Sequence, residues 1–426
     1  VTSLTERVLP ARLGRNFRWL VASSWVSNVG DGIAIAAGPL LVASQTSSPL
    51  LVALAALLQR LPWLVFGLWA GALADRLDRR KVVMIADTLR SVVVALLCVT
   101  IITGWVNIGV VLVAMLLYGV AEVFADTTTS TLLPMTVPKA DLGLANHRLQ
   151  AGFLTCNQLL GPPVGAFLFA AGAVWPFVTQ VVCVMFAVLL VSRIRFSDRD
   201  LATGADRAPS HIGRDIVEGL RWIWRNAPVR TLGLVILAFN VTWAAAWSVL
   251  VLWSRDHLHM SDVGYGLLTT ASGIGGLVGT ALYGRIEARF SLATIMRVCL
   301  LLEVLTHLAL AFTTSGWVAI AIMVEFGAYA FVWGTVSATV RQRAVPQQYQ
   351  GRVSSVYMMC VFGGLVAGQA LGGLIAEWWG LVAPFWFAFV GAGLTLALVW
   401  RQLSRIAHAD ADALPDTASP TGPVSA

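Results

Sequence analysis

Long apolar runs alternate with short polar connections along nearly the whole chain. Runs of about twenty residues, the length that crosses hydrocarbon as a helix, fall near 17–43, 50–73, 82–103, 107–130, 149–171 and 174–192. A second set follows near 230–254, 262–286, 291–313, 316–339, 352–376 and 382–402. The pattern predicts an all-α membrane protein of twelve transmembrane helices, six in 17–192 and six in 230–402. The connection 193–229 is polar, but Ile212, Ile216, Leu220, Ile223 and Trp224 recur in it at helical spacing among basic residues. That spacing predicts an amphipathic helix lying on the membrane face. Residues 1–16 are a polar, basic lead-in without the features of a cleavable signal peptide. Residues 403–426, rich in Ala, Asp, Pro, Ser and Thr, predict a disordered tail.

The two sets of spans repeat each other. At a shift of 208 residues Gly71 falls on Gly279, Gly119 on Gly327, Gly165 on Gly373 and Gly172 on Gly380. Val137-Pro138 falls on Val345-Pro346, and Pro176-Phe177 on Pro384-Phe385. The matches concentrate on Gly and Pro, where backbone geometry dictates the residue, rather than on the Leu, Val and Ala that chance would align. Two pseudo-symmetric six-helix bundles of parallel topology are predicted, with a substrate site between them at mid-membrane.

Composition agrees. Of 426 residues, 58% are hydrophobic and 12% charged, about half the charge of a soluble domain. The net charge of +7 is topological, because nearly all the arginines lie in connections on one side of the spans. That asymmetry predicts both termini in the cytoplasm and gives no reason to expect a nucleic-acid partner. The five cysteines sit in apolar runs without CxxC spacing, so neither disulfide nor metal site is expected.

After the second span comes Gly71-Ala72-Leu73-Ala74-Asp75-Arg76-Leu77-Asp78-Arg79-Arg80-Lys81. This resembles the loop signature of the major facilitator superfamily, with Asp78 where that family usually has Gly. The resemblance implies a cytoplasmic gating loop in which Gly71, Asp75, Arg76, Arg79 and Arg80 latch one access state. Asn157-Gln158-Leu159-Leu160-Gly161-Pro162-Pro163-Val164-Gly165 in the fifth span resembles the Gly-Pro motif of the exporter branches. Gly161 and Gly165 offer a flat helix face and Pro162 a bend; ordinary packing is the alternative. Asn28-Val29-Gly30-Asp31-Gly32, Gln59-Arg60-Leu61-Pro62 and Glu122-Val123-Phe124-Ala125-Asp126 resemble the branch that includes siderophore, macrolide and multidrug exporters. The fourth span lacks the basic residue that many drug–proton antiporters carry.

Ionisable residues at membrane depth are functional candidates by default. Asp31 and Arg60 each lie about 20 Å from the basic end of their spans at ~1.5 Å per residue, so they are placed to meet, either as a proton-coupling pair or as a static ion pair. Glu122 and Asp126 share a face of the fourth span, which with the first, seventh and tenth lines the cavity in the resembling family. Asp87 and Arg90, three apart, predict mutual neutralisation. Glu325, Tyr329 and Trp333 form one stripe on the tenth span, and Asn240, Trp243 and Trp247 another on the seventh. A carboxylate beside aromatic faces suits lipophilic cations; packing is the bland reading. Glu303 and His307 share a face of the ninth span and predict a local hydrogen-bonded pair or a proton site.

The chain contains no GxxxxGK[ST], HExxH or GxSxG, which leaves no expectation of an enzyme, a metal or a cofactor. The expected function is secondary active export of a small amphipathic compound from a bacterial cell, by a monomer in the lipid bilayer. Proton antiport by alternating access is the expected drive. An importer or uniporter, a lysophospholipid mover, and more distantly an intramembrane enzyme or receptor stand as the other readings.

Overall fold

A computed structural model describes residues 13–196, 212–346 and 349–407. The segments 1–12 and 408–426 lie outside the described residues, as do the side chains of Asp75 and Arg76 and with them the latch expected there. Six helices come first: α1 Gly14–Gln45, α2 Pro49–Arg76, α3 Arg79–Ile102, α4 Ile108–Thr136, α5 Leu142–Ala171 and α6 Trp175–Val191. After α7, Ile212–Arg225, follow α8 Ala227–Trp247, α9 Asp262–Glu287, α10 Leu292–Phe312, α11 Gly316–Ala344, α12 Gln350–Trp379 and α13 Ala383–Val399. The described residues contain no strand. Nine of these helices are long and apolar enough to cross a membrane, while α6 and α13 are apolar but shorter. Helix α9 falls outside both groups because glycines, threonines and serines dilute its hydropathy.

Local chemistry sets the helix ends. Ser48 caps α2 by accepting from the Leu51 amide, with Pro49 in the first turn. Asp78 caps α3 through the amides of Arg80 and Lys81, the role its carboxylate plays where the family has Gly. Asn107, Ser261 and Ser291 cap α4, α9 and α10. The repeat of Pro176 and Pro384 is explained by their place in the first turns of α6 and α13, where a missing N–H leaves nothing unsatisfied. Gly380 ends α12 at φ +86°, a conformation that L side chains rarely adopt.

Both sets of six pack in the same way. Helix α2 lies on α4, α3 on α4 and α6, and α1 on α5 and α6. In the second set α9 lies on α11, α10 on α11 and α13, and α8 on α12 and α13. Gly119 and Gly327 match because an added Cβ would meet the Gln59 carbonyl in the first set and the Ser272 carbonyl in the second. The sets join along two seams, α5 with α9 and α2 with α12.

In α5 the helix widens into a π-helical segment, Phe153–Leu160, directly before Gly161-Pro162. A proline removes a donor and crowds the carbonyl four residues back, here Gln158, and the π-segment accommodates it. That carbonyl is covered by Gly273 of α9, which leaves no room for a Cβ. Gly161 and Gly165 abut Gly32 and Ile33 of α1. The Gly-Pro motif is thus the place where α1, α5 and α9 meet backbone to backbone.

Candidate transport site

A cavity of about 950 Å³ lies between the two sets and is lined by both. Its ionisable lining is four carboxylates, Asp31, Asp87, Glu122 and Asp126, against two arginines, Arg60 and Arg90. It extends to Leu20, Thr129 and Asn146, near the arginine-rich end of the bundle. At the opposite end Glu377 of α12 accepts from Ser48 Oγ at 2.8 Å and from the Leu50 amide at 3.1 Å, tying α12 to the start of α2.

Arg90 is the centre of the charged wall. It is 2% exposed, with Nη1 3.3 Å from Asp31 Oδ1 and Nη2 3.0 Å from Asp87 Oδ1. The Asp87 contact is close but poorly aligned for a hydrogen bond, so it acts as an ion pair. Arg90 Nη2 also donates to Ser27 Oγ at 3.1 Å, and Ser27 donates to Asp31 Oδ2 at 3.1 Å. Tyr118 of α4 donates to Asp31 Oδ1 at 3.1 Å and accepts from Gln180 Nε2 of α6 at 3.0 Å. Three helices, α1, α3 and α4, therefore converge on one carboxylate that still borders the cavity, and α6 braces it through Tyr118.

The opposite wall is aromatic. Trp243 and Trp247 of α8 stack at 5.3 Å, and Phe326 of α11 lies 4.7 Å from the Trp247 ring. Behind Trp247, with its ring edge-on at 6.0 Å, is the fully buried His307. His307 Nε2 lies 3.1 Å from Glu303 Oε1, and Tyr329 donates to Glu303 Oε2 at 2.8 Å, with the Thr306 hydroxyl 3.0 Å from the Tyr329 oxygen.

The chain has known relatives along nearly its whole length. The family model for transmembrane secretion effectors matches residues 10–426. The multidrug efflux pump Tap of Mycolicibacterium fortuitum is 30% identical over 411 residues, 92% of this chain and 96% of that protein. Macrolide efflux protein A of Streptococcus pyogenes is 22% identical over 86% of this chain and 90% of its own length. A solved bacterial homologue of the iron transporter ferroportin, in its inward-facing state, superposes with a TM-score of 0.72 at 16% identity, covering 92% of this chain and 98% of that one. The chain belongs to the transmembrane secretion effector family. It is a multi-pass membrane transporter of the major facilitator superfamily, not an enzyme.

Within this transporter the sequence-predicted residues separate into groups. Asp31, Arg60, Glu122 and Trp243 line the cavity. Asp31 is paired with Arg90 rather than with Arg60, a correction to the expected Asp31–Arg60 meeting. Equal depth on two helices does not fix which faces turn together, and α2, carrying Arg60, packs on α4. Glu122 Oε2 is buried there, without a hydrogen-bond partner among the described residues. Glu325 is exposed and outside the cavity lining. Tyr329, one turn on, is buried toward Glu303 instead of forming a stripe with it. Asn240 donates to the Ile236 carbonyl at 2.7 Å and faces Gly364 of α12, away from the lining. In the loop, Arg79 Nη1 lies 3.1 Å from Met135 Sδ and Arg80 Nη1 donates to the Ile194 carbonyl at 2.6 Å. An added Cβ at Gly71 would meet only Thr127. Sequence reasoning missed Ser27, Tyr118 and Gln180. The signal for Tyr118 was present, because it precedes Glu122 and Asp126 at successive steps of four.

Proposed function

We propose that this transporter exports a small amphipathic compound, preferably one with cationic character, from a bacterial cytoplasm by alternating access against proton entry. It does so as a monomer in the cell membrane with both termini cytoplasmic and twelve spans. The observation that carries the reading is the cavity itself: a carboxylate surplus on one wall faces stacked tryptophans on the other. Cations bind both kinds of surface. Efflux relatives over nearly the whole length support the direction. Asp31 supplies the proton site, since Arg90, Ser27 and Tyr118 hold its carboxylate at the cavity edge; the cargo is held by the other carboxylates and the tryptophans.

The test is uptake of ethidium into inside-out membrane vesicles with an imposed pH gradient. Uptake that rises and collapses with the gradient is expected, and Asp31→Asn is expected to abolish it while ethidium binding persists. Gradient-driven uptake by Asp31→Asn at the wild-type rate refutes the proton assignment; accumulation in right-side-out vesicles instead makes the protein an importer.

A further inference from the structure

Helix α7 has two apolar faces, and the protein uses one. Ile223 is 8% exposed and packs with Val229, Val345 and Val353. Trp222 stacks on Tyr349 at 5.5 Å. Glu218 meets Arg352 of α12 at 2.9 Å. These contacts fasten α7 to the second set of helices, and α7 also touches α2 of the first.

On the other face Val217, Leu220 and Trp224 are 53%, 50% and 63% exposed. Their spacing puts them on one stripe of a helix that turns every ~3.6 residues. Arg221 and Arg225, both exposed, run beside the stripe one turn apart. Arg230 lies 5.6 Å from the Trp224 ring centroid and donates to the Trp224 carbonyl at 2.8 Å. Along the described part of this edge the charge is positive, because the carboxylate of Glu218 is engaged with Arg352.

We propose that this face of α7 is a docking site for acidic phospholipid of the membrane that houses the protein. Val217, Leu220 and Trp224 enter the boundary between headgroups and acyl chains, as amphipathic helices do. Arg221 and Arg225 hold a headgroup phosphate, whose oxygens match the forked donors of guanidinium. The charge complementarity selects an acidic lipid over a zwitterionic one and over a second apolar protein surface, which would leave two arginines facing no anion. A lipid held here touches the helix that bridges both halves of the transporter. The site is independent of cargo and coupling ion.

The full chain, carrying a nitroxide on Leu220→Cys, is placed in nanodiscs of phosphatidylcholine alone or mixed with phosphatidylglycerol. The native cysteines are buried or half-buried, so the introduced one labels first. Collision with oxygen against a water-soluble nickel complex reads depth. The expected result is a label in the acyl boundary when phosphatidylglycerol is present. Arg221→Gln with Arg225→Gln is expected to shift the lipid preference roughly tenfold toward neutral lipid, since each arginine near an anionic surface contributes to the attraction. The thermal transition of that double variant reports that the fold persists. A water-exposed label in both discs overturns the proposal. So does a label equally shielded in both discs and indifferent to the arginines, because then protein or non-selective burial covers the stripe.

Discussion

Replacing Arg90 with Met removes the guanidinium between Asp31 and Asp87 while keeping an unbranched apolar stem. Arg90 is 2% exposed, and its two carboxylate partners lie at 3.3 and 3.0 Å. Its loss leaves two carboxylates near each other, with Asp87 itself 6% exposed. Breaking a buried pair by removing one partner costs about 3–5 kcal/mol. Asp31→Asn is milder, since Arg90 keeps Asp87 and the amide oxygen still accepts from Tyr118. Its cost is that of weakened charge-assisted hydrogen bonds, about 1–3 kcal/mol. In the double variant the penalty of stranding Asp31 disappears, so it is expected to be less destabilised than the sum of the singles by about 2 kcal/mol. Reversible unfolding in mixed detergent micelles, titrated with SDS, measures all four corners of the cycle. Additivity within about 0.5 kcal/mol refutes the network as the source of the stabilisation.

Other expectations follow from specific contacts. Gly165→Ala places a methyl against the Ile33 carbonyl and is expected to destabilise by about 1–3 kcal/mol. Gly67→Ala, with nothing within 4 Å of the added Cβ, is expected to stabilise α2 by about 0.5–1 kcal/mol; the same SDS titration compares them. Glu377→Ala removes both bonds to the start of α2 and is expected to raise maleimide labelling of Ala53→Cys roughly tenfold, the loss of about 1.4 kcal/mol of closure. An unchanged rate shows that the seam does not depend on them. Trp247→Ala is expected to weaken ethidium binding by roughly five- to tenfold, read by fluorescence polarisation, and equal affinity excludes this wall from the binding surface.

Much of the fold is written in lengths and glycines. Apolar runs mark the spans because hydrocarbon thickness sets their length, and the Gly119/Gly327 match has a direct cause in the two carbonyls those glycines cover. The site was less legible. The chain shows that Asp31 and Arg90 are costly in a membrane, but pairing depends on which helices are neighbours and how each is rotated. Asp31 therefore meets Arg90, and Tyr329 turns to Glu303 rather than following Glu325 along its stripe. Asn240 fails for a related reason: its polarity is spent on its own helix, at the Ile236 carbonyl.

The two seams between the halves have a mechanical consequence. Gly266 and Gly273 of α9 lie against Ala166 and Gln158 of α5, and Gly373 of α12 lies against Ala53 of α2. Interlocking side chains must change rotamer before one surface can travel across another, which makes such surfaces bistable and slow. At Gly273 the contact is to the Gln158 backbone carbonyl, whereas the α2–α12 seam also carries the stacked rings of Trp63 and Phe362, 5.0 Å apart. Any movement of one set against the other therefore has more to unlock along α2 and α12 than along α5 and α9.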